Sequence, residues 1–328
     1  MKLASLKAGG RDGSLILVSR NLGHYVSAVD IAPTLQNALD EWQQTAPRLN
    51  ALYAELNDGA CSSIQDLDFE MLAAPLPRAF EFVDAAVYLT HEERAHRAGG
   101  TGVPESLYAD PLMYQATSAG FLGPRDPVSV AGEEHGIDFE SGVVVVTDDV
   151  PMACTPEQAD LHIQLIGLIN DVSLRNLIPD ELAKGFGFLQ SKPRSTLSPV
   201  LVTPDELGDQ WRDSTLSLPL HSTFNGAFFG NPGAGVDMQF NFAQLVAHAA
   251  RTRPLTAGTI VGSGAVANED TGKGASCLAG IRTLEILADG KPSTPFMKFG
   301  DTIRIEMFDT QGVSIFGAIE QKIVKHGN

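Results

Sequence analysis

The sequence is poor in cysteine, in basic residues and in long apolar runs, and each shortage excludes a class of protein. The three cysteines among 328 residues, Cys61, Cys154 and Cys277, form neither a C-x-x-C motif nor a paired framework. No apolar run approaches the length of a membrane span, and the N-terminus lacks the charged-then-apolar pattern of a signal peptide. We therefore expect a cytoplasmic protein without a membrane partner.

Basic residues are too few to serve a nucleic acid. There are 23 Lys and Arg against 40 Asp and Glu, which gives a formal net charge of −17. Without a basic patch the chain cannot neutralise phosphates, so no nucleic-acid partner is expected. We interpret the acidity as a contribution to solubility. The chain also lacks a Walker motif, a dinucleotide-binding fingerprint and a repeat of fixed period.

Two prolines divide the chain. The pair in Pro75-Leu76-Pro77 favours extended, linker-like backbone, so we predict a small N-terminal module over residues 1–77 and a larger domain over 78–328. The module reads as α+β. Its predicted strands cover 15–18 and 24–26, and its predicted helices begin near 32 and 47.

The larger domain is dominated by short, turn-punctuated strands. Only residues 160–169 and 242–250 show strong helical periodicity. The predicted strands cover 143–146, 216–224, 236–240, 259–263, 283–287, 303–308 and 314–319. This pattern predicts a β-rich α+β fold, a roll or sandwich of mixed strands rather than a doubly wound sheet.

An acidic stretch lies directly before the valine run of residues 143–146. In a strand, Asp138, Glu140 and position 142 project to one side. Carboxylates beside apolar Ile137 and Phe139 are costly to bury without a cation, and such hard oxygen ligands suit Mg²⁺ or Ca²⁺. The alternative is an edge strand with a solvated acidic face, and this stretch alone favours neither.

Four further residues indicate a function only when they are considered as a set. Taken singly, Asp84 fits a helix cap and Asp171 fits the end of a helix. His91 fits the surface of a charged helix, and Lys192 fits an exposed loop.

In their order along the chain, these residues resemble the fumarylacetoacetate hydrolase family, in particular its bacterial fumarylacetoacetase-like members. The family carries an aspartate seven residues before a histidine, a Glu-x-Glu strand, an Asn-Asp-x-Ser-x-Arg segment and a later lysine. The matching positions are Asp84, His91, Tyr114, Glu140, Asn170, Asp171, Ser173, Arg175, Lys192, residues 196–199 and Ser263-Gly264-Ala265. The resemblance covers residues 75 to 325, and members of this type also have a separate N-terminal module.

The resemblance implies metal-dependent hydrolysis of a carbon–carbon bond in a β-diketo acid, such as fumarylacetoacetate or an acylpyruvate. It also implies a homodimer. A cation beside a 1,3-dicarbonyl stabilises the departing enolate, and a histidine paired with a glutamate activates water. The implied roles are Asp84, Glu140 and Asp171 as ligands of Mg²⁺ (or Ca²⁺ or Mn²⁺), His91 as base, Lys192 as oxyanion or protonating group, and Tyr114, Arg97 and Arg175 as substrate contacts.

Three positions depart from the family pattern. Gly142 replaces the second strand glutamate, Gly280 replaces the histidine's glutamate partner, and Ala265 replaces a threonine. We expect both glycines to leave space where glutamates would sit, with water or Asp138 filling a vacated ligand position. Alternatively, the backbone there requires positive φ.

The departures leave three functions open. The first is hydrolysis with a rearranged dyad, in which Glu92, Glu93 or Glu269 takes the role of position 280. The second is other chemistry on a keto acid, namely decarboxylation, tautomerisation or carbon–carbon bond formation. The third is a catalytically silent, ligand-binding homologue.

Overall fold

A computed structural model describes residues 1–327. Its α-helices are α1 Leu35–Asp40, α2 Trp42–Asn57, α3 Leu89–Ala98, α4 Pro156–Asp160, α5 Ile178–Leu182, α6 Pro204–Leu207, α7 Phe242–Ala249 and α8 Leu278–Asp289. Its strands are β1 Lys2–Leu6, β2 Ser14–Val18, β3 His24–Ser27, β4 Gln65–Asp66, β5 Phe82–Ala85, β6 Met113–Gln115, β7 Val128–Val130, β8 Ile137–Asp138, β9 Ser141–Thr147, β10 Ile163–Asn170, β11 Ser173–Leu174, β12 Thr196–Leu197, β13 Leu201–Val202, β14 Trp211–Arg212, β15 Thr215–Leu216, β16 Leu220–Phe224, β17 Ala227–Gly230, β18 Ile260–Gly262, β19 Thr302–Met307 and β20 Ile319–Lys325. Short 3₁₀ turns cover Phe69–Met71, Glu105–Tyr108, Glu133–His135, Arg175–Leu177, Gly208–Gln210 and Thr271–Lys273.

The largest element is an eleven-stranded sheet in the order β4-β3-β2-β1-β13-β10-β9-β18-β5-β6, with β12 beside β10. The valine run forms β9 near its middle. Val143 and Val145 pack into one apolar core, and Val144 and Val146 pack into a second core on the opposite face. The strand is therefore central and buried on both faces, which excludes a solvated edge strand at this position.

The two cores define the layers. One face of the large sheet packs against a five-stranded sheet of order β17-β16-β19-β20-β7, through residues such as Ile305 and Ile323. The other face packs against α1 and α2, through residues such as Leu35 and Leu49. The predicted sheet-rich α+β fold is confirmed.

The N-terminal module shares the large sheet with the rest of the chain. Its first strand, β1, pairs antiparallel with β13, with Lys2 opposite Val202. The strands predicted over 15–18 and 24–26 correspond to β2 and β3. The division of the chain at residues 77 and 78 stays a prediction.

Several local predictions are wrong. The helix predicted over 160–169 is strand β10, because a central strand with apolar residues on both faces shows no alternation and its apolar spacing imitates a helix. The strand predicted over 283–287 lies inside helix α8. Residues 236–240 form no strand in the described chain.

Candidate active site

Most of the residues singled out in the sequence line one pocket of about 470 Å³. They are Asp84, His91, Tyr114, Glu140, Arg175, Lys192 and Ala265. Asp171 lies beneath them and hydrogen-bonds to Tyr114 and Lys192. Arg97 is exposed on α3 and does not line the pocket.

Strand pairing brings the three carboxylates together. Asp171 directly follows β10 and Glu140 directly precedes β9, so the antiparallel pairing of these strands places them side by side, with Asp171 N donating to Glu140 O at 2.9 Å. Asp84 lies on β5, opposite Gly262 of β18. A Cβ at position 262 would stand only 2.1 Å from Asp84 Oδ1, so this close approach requires glycine.

The three carboxylates share two donors. Lys192 Nζ lies 2.7 Å from Asp171 Oδ2 and 3.1 Å from Glu140 Oε1. The Tyr114 hydroxyl lies 2.5 Å from Asp171 Oδ2 and 3.4 Å from Asp84 Oδ2. The lysine is therefore buried among the acids rather than exposed in a loop, with only 6% of its surface accessible.

Arg175 joins the site to helix α8 through Asp138. Its Nε donates to Asp138 Oδ2 at 2.9 Å, and its Nη2 lies 3.0 Å from Glu140 Oε1. Asp138 also accepts the first amides of α8, from Leu278 at 2.7 Å and Ala279 at 2.9 Å. Asp138 is thus held by Arg175 and the first turn of α8 and does not line the pocket, and the expectation that it fills a vacated ligand position stays a prediction.

The ionisation of the carboxyl groups follows from these contacts. Burial, reinforced by Asp171, raises the pKa of Asp84 well above its usual range, and no cationic side chain in the described part of the chain contacts Asp84 directly. Burial likewise raises the pKa of Asp138 despite its pairing with Arg175. For Glu140 the nearby Arg175 and Lys192 outweigh burial and lower the pKa to about 2. Asp171 and Glu140 in turn outweigh burial at Lys192 and raise its pKa.

The charges of the site fit a divalent cation. Three buried carboxyl groups, Asp84, Asp138 and Asp171, and the partly buried Glu140 face two cationic side chains, so full ionisation leaves two negative charges without a partner. Asp84, Glu140 and Asp171 supply the hard oxygen donors that Mg²⁺, Ca²⁺ and Mn²⁺ prefer. Within residues 1–327, however, no three acidic, histidine or cysteine side chains already stand as a ligand set. A cation would have to take over contacts that Lys192 and Tyr114 make.

His91 lies on α3 and faces the pocket without a fixed partner. Within residues 1–327 no hydrogen bond is made by its ring. A Cβ built at Gly280 would stand 3.9 Å from His91 Cε1. Position 280 thus faces the imidazole. Of the suggested substitutes, Glu92 lines the pocket without bonding the ring, and Glu93 accepts the hydroxyl of Tyr108 instead.

The two glycines differ in their surroundings. Neither has positive φ, so backbone conformation does not explain either of them. A Cβ at Gly142 would meet the carbonyl oxygen of Gly264 at 2.8 Å and Ile169 Cγ2 at 3.2 Å. The expected space at position 142 is therefore absent. At Gly280 the nearest atoms are side-chain atoms, Ala275 Cβ at 3.2 Å and Cys277 Sγ at 3.4 Å.

The sequence did not reveal several residues of the site. The hydroxyl of Ser195 donates to Asp171 Oδ1 from beneath the pocket. Ile178, Leu182 and Phe188 line the pocket, and Phe188 packs edge-on against Tyr114 with 4.8 Å between ring centroids. The sequence could have indicated Ser195, because it lies close to Lys192 along the chain. It could not have indicated the other three residues, because their places in the pocket wall depend on how α5 and the loop after it fold.

Comparison with known proteins places this constellation in a family. Residues 82–324 match the fumarylacetoacetate (FAA) hydrolase C-terminal domain, and residues 1–78 match fumarylacetoacetase N-terminal domain 2. The chain therefore belongs to the fumarylacetoacetate hydrolase family.

Similar proteins are hydrolases or isomerases. The chain is 27% identical over 207 residues to 2,4-didehydro-3-deoxy-L-rhamnonate hydrolase of Sphingomonas sp. (strain SKA58), a match spanning 62% of this chain and 64% of the relative. Maleylpyruvate hydrolase from Sphingobium sp. SYK-6, solved with manganese(II) ion and pyruvate, aligns with TM-score 0.66 and 15% identity over 99% of each chain. The 2-hydroxyhepta-2,4-diene-1,7-dioate isomerase from Mycobacterium marinum aligns with TM-score 0.60 and 16% identity over 100% of each chain. At these identities the two structures establish the fold alone.

No helix in residues 1–327 is long and apolar enough to cross a membrane.

Proposed function

We propose that this protein is a metal-dependent hydrolase of a carbon–carbon bond in a β-diketo acid of the acylpyruvate or fumarylacetoacetate type. The observation that carries the proposal is the convergence of Asp84, Glu140 and Asp171 on Lys192 and Tyr114 at the wall of one pocket. Membership of the family and the hydrolases among its relatives support the same reaction.

Asp84, Glu140 and Asp171 would hold the cation. When bound, a divalent cation would withdraw electrons from the substrate's two ketone oxygens and so stabilise the enolate that leaves as the carbon–carbon bond breaks. Lys192, which stays protonated because its pKa is raised, donates hydrogen bonds to a developing oxyanion and then a proton to the enolate carbon. Tyr114 donates from its hydroxyl and orients the substrate.

His91 removes a proton from the attacking water. Its position in the pocket wall suits this role, but no acceptor among the described residues fixes the tautomer or the orientation of the ring. Hydrolysis should therefore be slower than in an enzyme with a complete dyad, since general-base assistance is typically worth about 10²- to 10⁴-fold.

The test is loss of the ultraviolet absorbance of acetylpyruvate in the presence of Mg²⁺ or Mn²⁺, with pyruvate measured as the product. His91→Ala should abolish turnover while leaving binding of the cation unchanged. His96→Ala, a change on the same helix but in a residue outside the pocket lining, is the matched control. Binding of the diketo acid without any pyruvate release would reject hydrolysis.

Keto–enol tautomerisation or decarboxylation is the second candidate. The specific observation in its favour is the unpartnered ring of His91, because these reactions use the cation as an electron sink and need no activated water. Exchange of the substrate's C3 protons for deuterium, or release of CO₂, without pyruvate formation would identify it. A protein that neither binds nor transforms a diketo acid would instead be the catalytically silent homologue.

A further inference from the structure

Much of the pocket wall is apolar and comes from segments that carry none of the carboxylates. Leu112 lies just before β6, Leu182 ends α5, and Phe188 lies in the loop that follows α5. About half of the surface of Leu112 and of Leu182 is exposed, 49% and 52%. These side chains are available to a ligand rather than consumed by the protein core.

The cations in the pocket wall are already engaged. Lys192 pairs with Glu140 and Asp171. Arg175 pairs with Asp138 through a hydrogen bond and with Glu140 through charge, because its buried Nη2 lies 3.0 Å from Glu140 Oε1 but makes no hydrogen bond within residues 1–327. Among the described residues that line the pocket, the other groups that carry charge when ionised near neutral pH are carboxylates, apart from His91, which the proposed reaction uses as a base. Glu92 is one of these acids, and it adds negative charge to the wall.

These features select between two kinds of diketo acid. A carboxylate at the acyl end would lose its hydration without gaining a cationic partner, and Glu92 would repel it. An alkyl or aryl group would gain from contact with the leucines and Phe188. At about 0.8 kcal/mol per buried methylene, each added CH₂ should tighten binding roughly fourfold.

We infer that the substrate is a monocarboxylic diketo acid, an acylpyruvate whose acyl end is apolar. This inference rests on the proposed function and adds the substrate class to it. It also separates this chain from relatives named for a dioate, which carries two carboxylates.

The test compares acetylpyruvate, pentanoylpyruvate and glutarylpyruvate with Mg²⁺ present, measuring Kd by calorimetry and kcat/KM by absorbance. The last two differ only in whether the chain ends in a methyl group or a carboxylate. Pentanoylpyruvate should exceed each of the others by about tenfold or more in kcat/KM, or in affinity if turnover is absent. Equal or better use of glutarylpyruvate would overturn the inference and leave the proposed function standing. Failure of all three to bind would reject both.

Leu182→Arg provides the matched variant. An arginine at this point of the wall should shift the preference towards glutarylpyruvate by about tenfold or more, because it offers the missing cation. Leu189→Arg adds the same charge in the loop that follows α5, at a side chain that is 79% exposed and does not line the pocket. An equal shift in both variants would mean that net charge, and not the pocket wall, sets the preference, and would overturn the inference.

Discussion

At the scale of single residues, the two glycines that replace glutamates are not equivalent. Gly280 faces His91, and the atoms nearest to a side chain there belong to other side chains, which can shift more easily than backbone. Gly142 lies against the carbonyl oxygen of Gly264, so a side chain there would push on backbone. A glutamate can thus be introduced at position 280, whereas the packing of β9 opposes a glutamate at position 142.

Gly280→Glu should restore a partner for His91. The new carboxylate would lie in the first turn of α8, where the helix dipole favours negative charge. We expect acylpyruvate hydrolysis to rise about 10²- to 10⁴-fold, measured as pyruvate release. Gly280→Gln, which has the same size without the charge, should gain little. A folded Gly280→Glu protein with no gain would favour chemistry that never used activated water.

Gly142→Ala should destabilise the protein. Its Cβ would stand 2.8 Å from a backbone oxygen, and overpacking of this kind costs about 1 to 3 kcal/mol. The melting temperature should fall by several degrees. Gly280→Ala is the matched control and should be close to neutral, because helix propensity offsets its contact with Ala275. Equal melting temperatures for the two variants would show that β9 can shift to accommodate a side chain at position 142. Gly142→Glu could then be used to tighten metal binding.

At the scale of elements, one carboxylate holds the loop that follows α5 in place. Glu181 accepts hydrogen bonds from the amides of Leu189, Gln190 and Ser191 at 3.0, 2.6 and 3.1 Å, and from the Ser191 hydroxyl. These donors outweigh burial and lower the pKa of Glu181 to about 2. The loop leads directly into Lys192, so this anchor also fixes where the lysine enters the site.

Glu181→Gln should loosen the loop, because an amide cannot accept all of these hydrogen bonds and each bond to a charged group is worth about 1.5 to 3 kcal/mol. Tryptic cleavage at exposed Lys184 should become roughly tenfold faster or more under native conditions. Glu105→Gln, at an exposed glutamate elsewhere, should leave the rate unchanged. An unaltered rate in Glu181→Gln would mean that packing of Phe188, and not Glu181, holds the loop.

The overall fold and the site residues could be predicted from the sequence, whereas two of the individual elements could not. The turn-punctuated strands predicted the sheet-rich fold, and the ordered residues from Asp84 to Lys192 predicted which side chains meet. The helix predicted in place of β10 fails because burial on both faces removes the alternation that identifies a strand. Helix α8 was missed because Asp138, far away in the chain, caps its first amides.

At the scale of the whole molecule, the homodimer implied by the resemblance is a proposal. Large apolar side chains are exposed at Phe80, Phe186 and Phe228, with 64%, 99% and 65% of their surfaces accessible. Light scattering at micromolar concentration should give twice the 34.9 kDa of the chain. A mass of one chain would contradict the proposal.

Binding of one divalent cation by Asp84, Glu140 and Asp171 is the central claim about the molecule. Because burial and the nearby Asp171 raise the pKa of Asp84 in the folded protein, the free protein should lose stability as the pH rises above the usual range of an aspartate. Metal binding requires the ionised carboxylate, so the affinity for the cation should increase with pH, by up to about tenfold per unit.

The most direct measurement is calorimetric titration with Mn²⁺ and Mg²⁺ at pH 6 and pH 8, on the natural protein and on Asp84→Asn. Among residues 1–327 Asp84 has no cationic partner that the change would leave unpaired, so the asparagine variant should be at least as stable without metal. The account predicts one site per chain, tighter at pH 8, with a melting temperature raised by the cation, and loss of both effects in Asp84→Asn. No binding at millimolar cation, or equal binding by the variant, would contradict it.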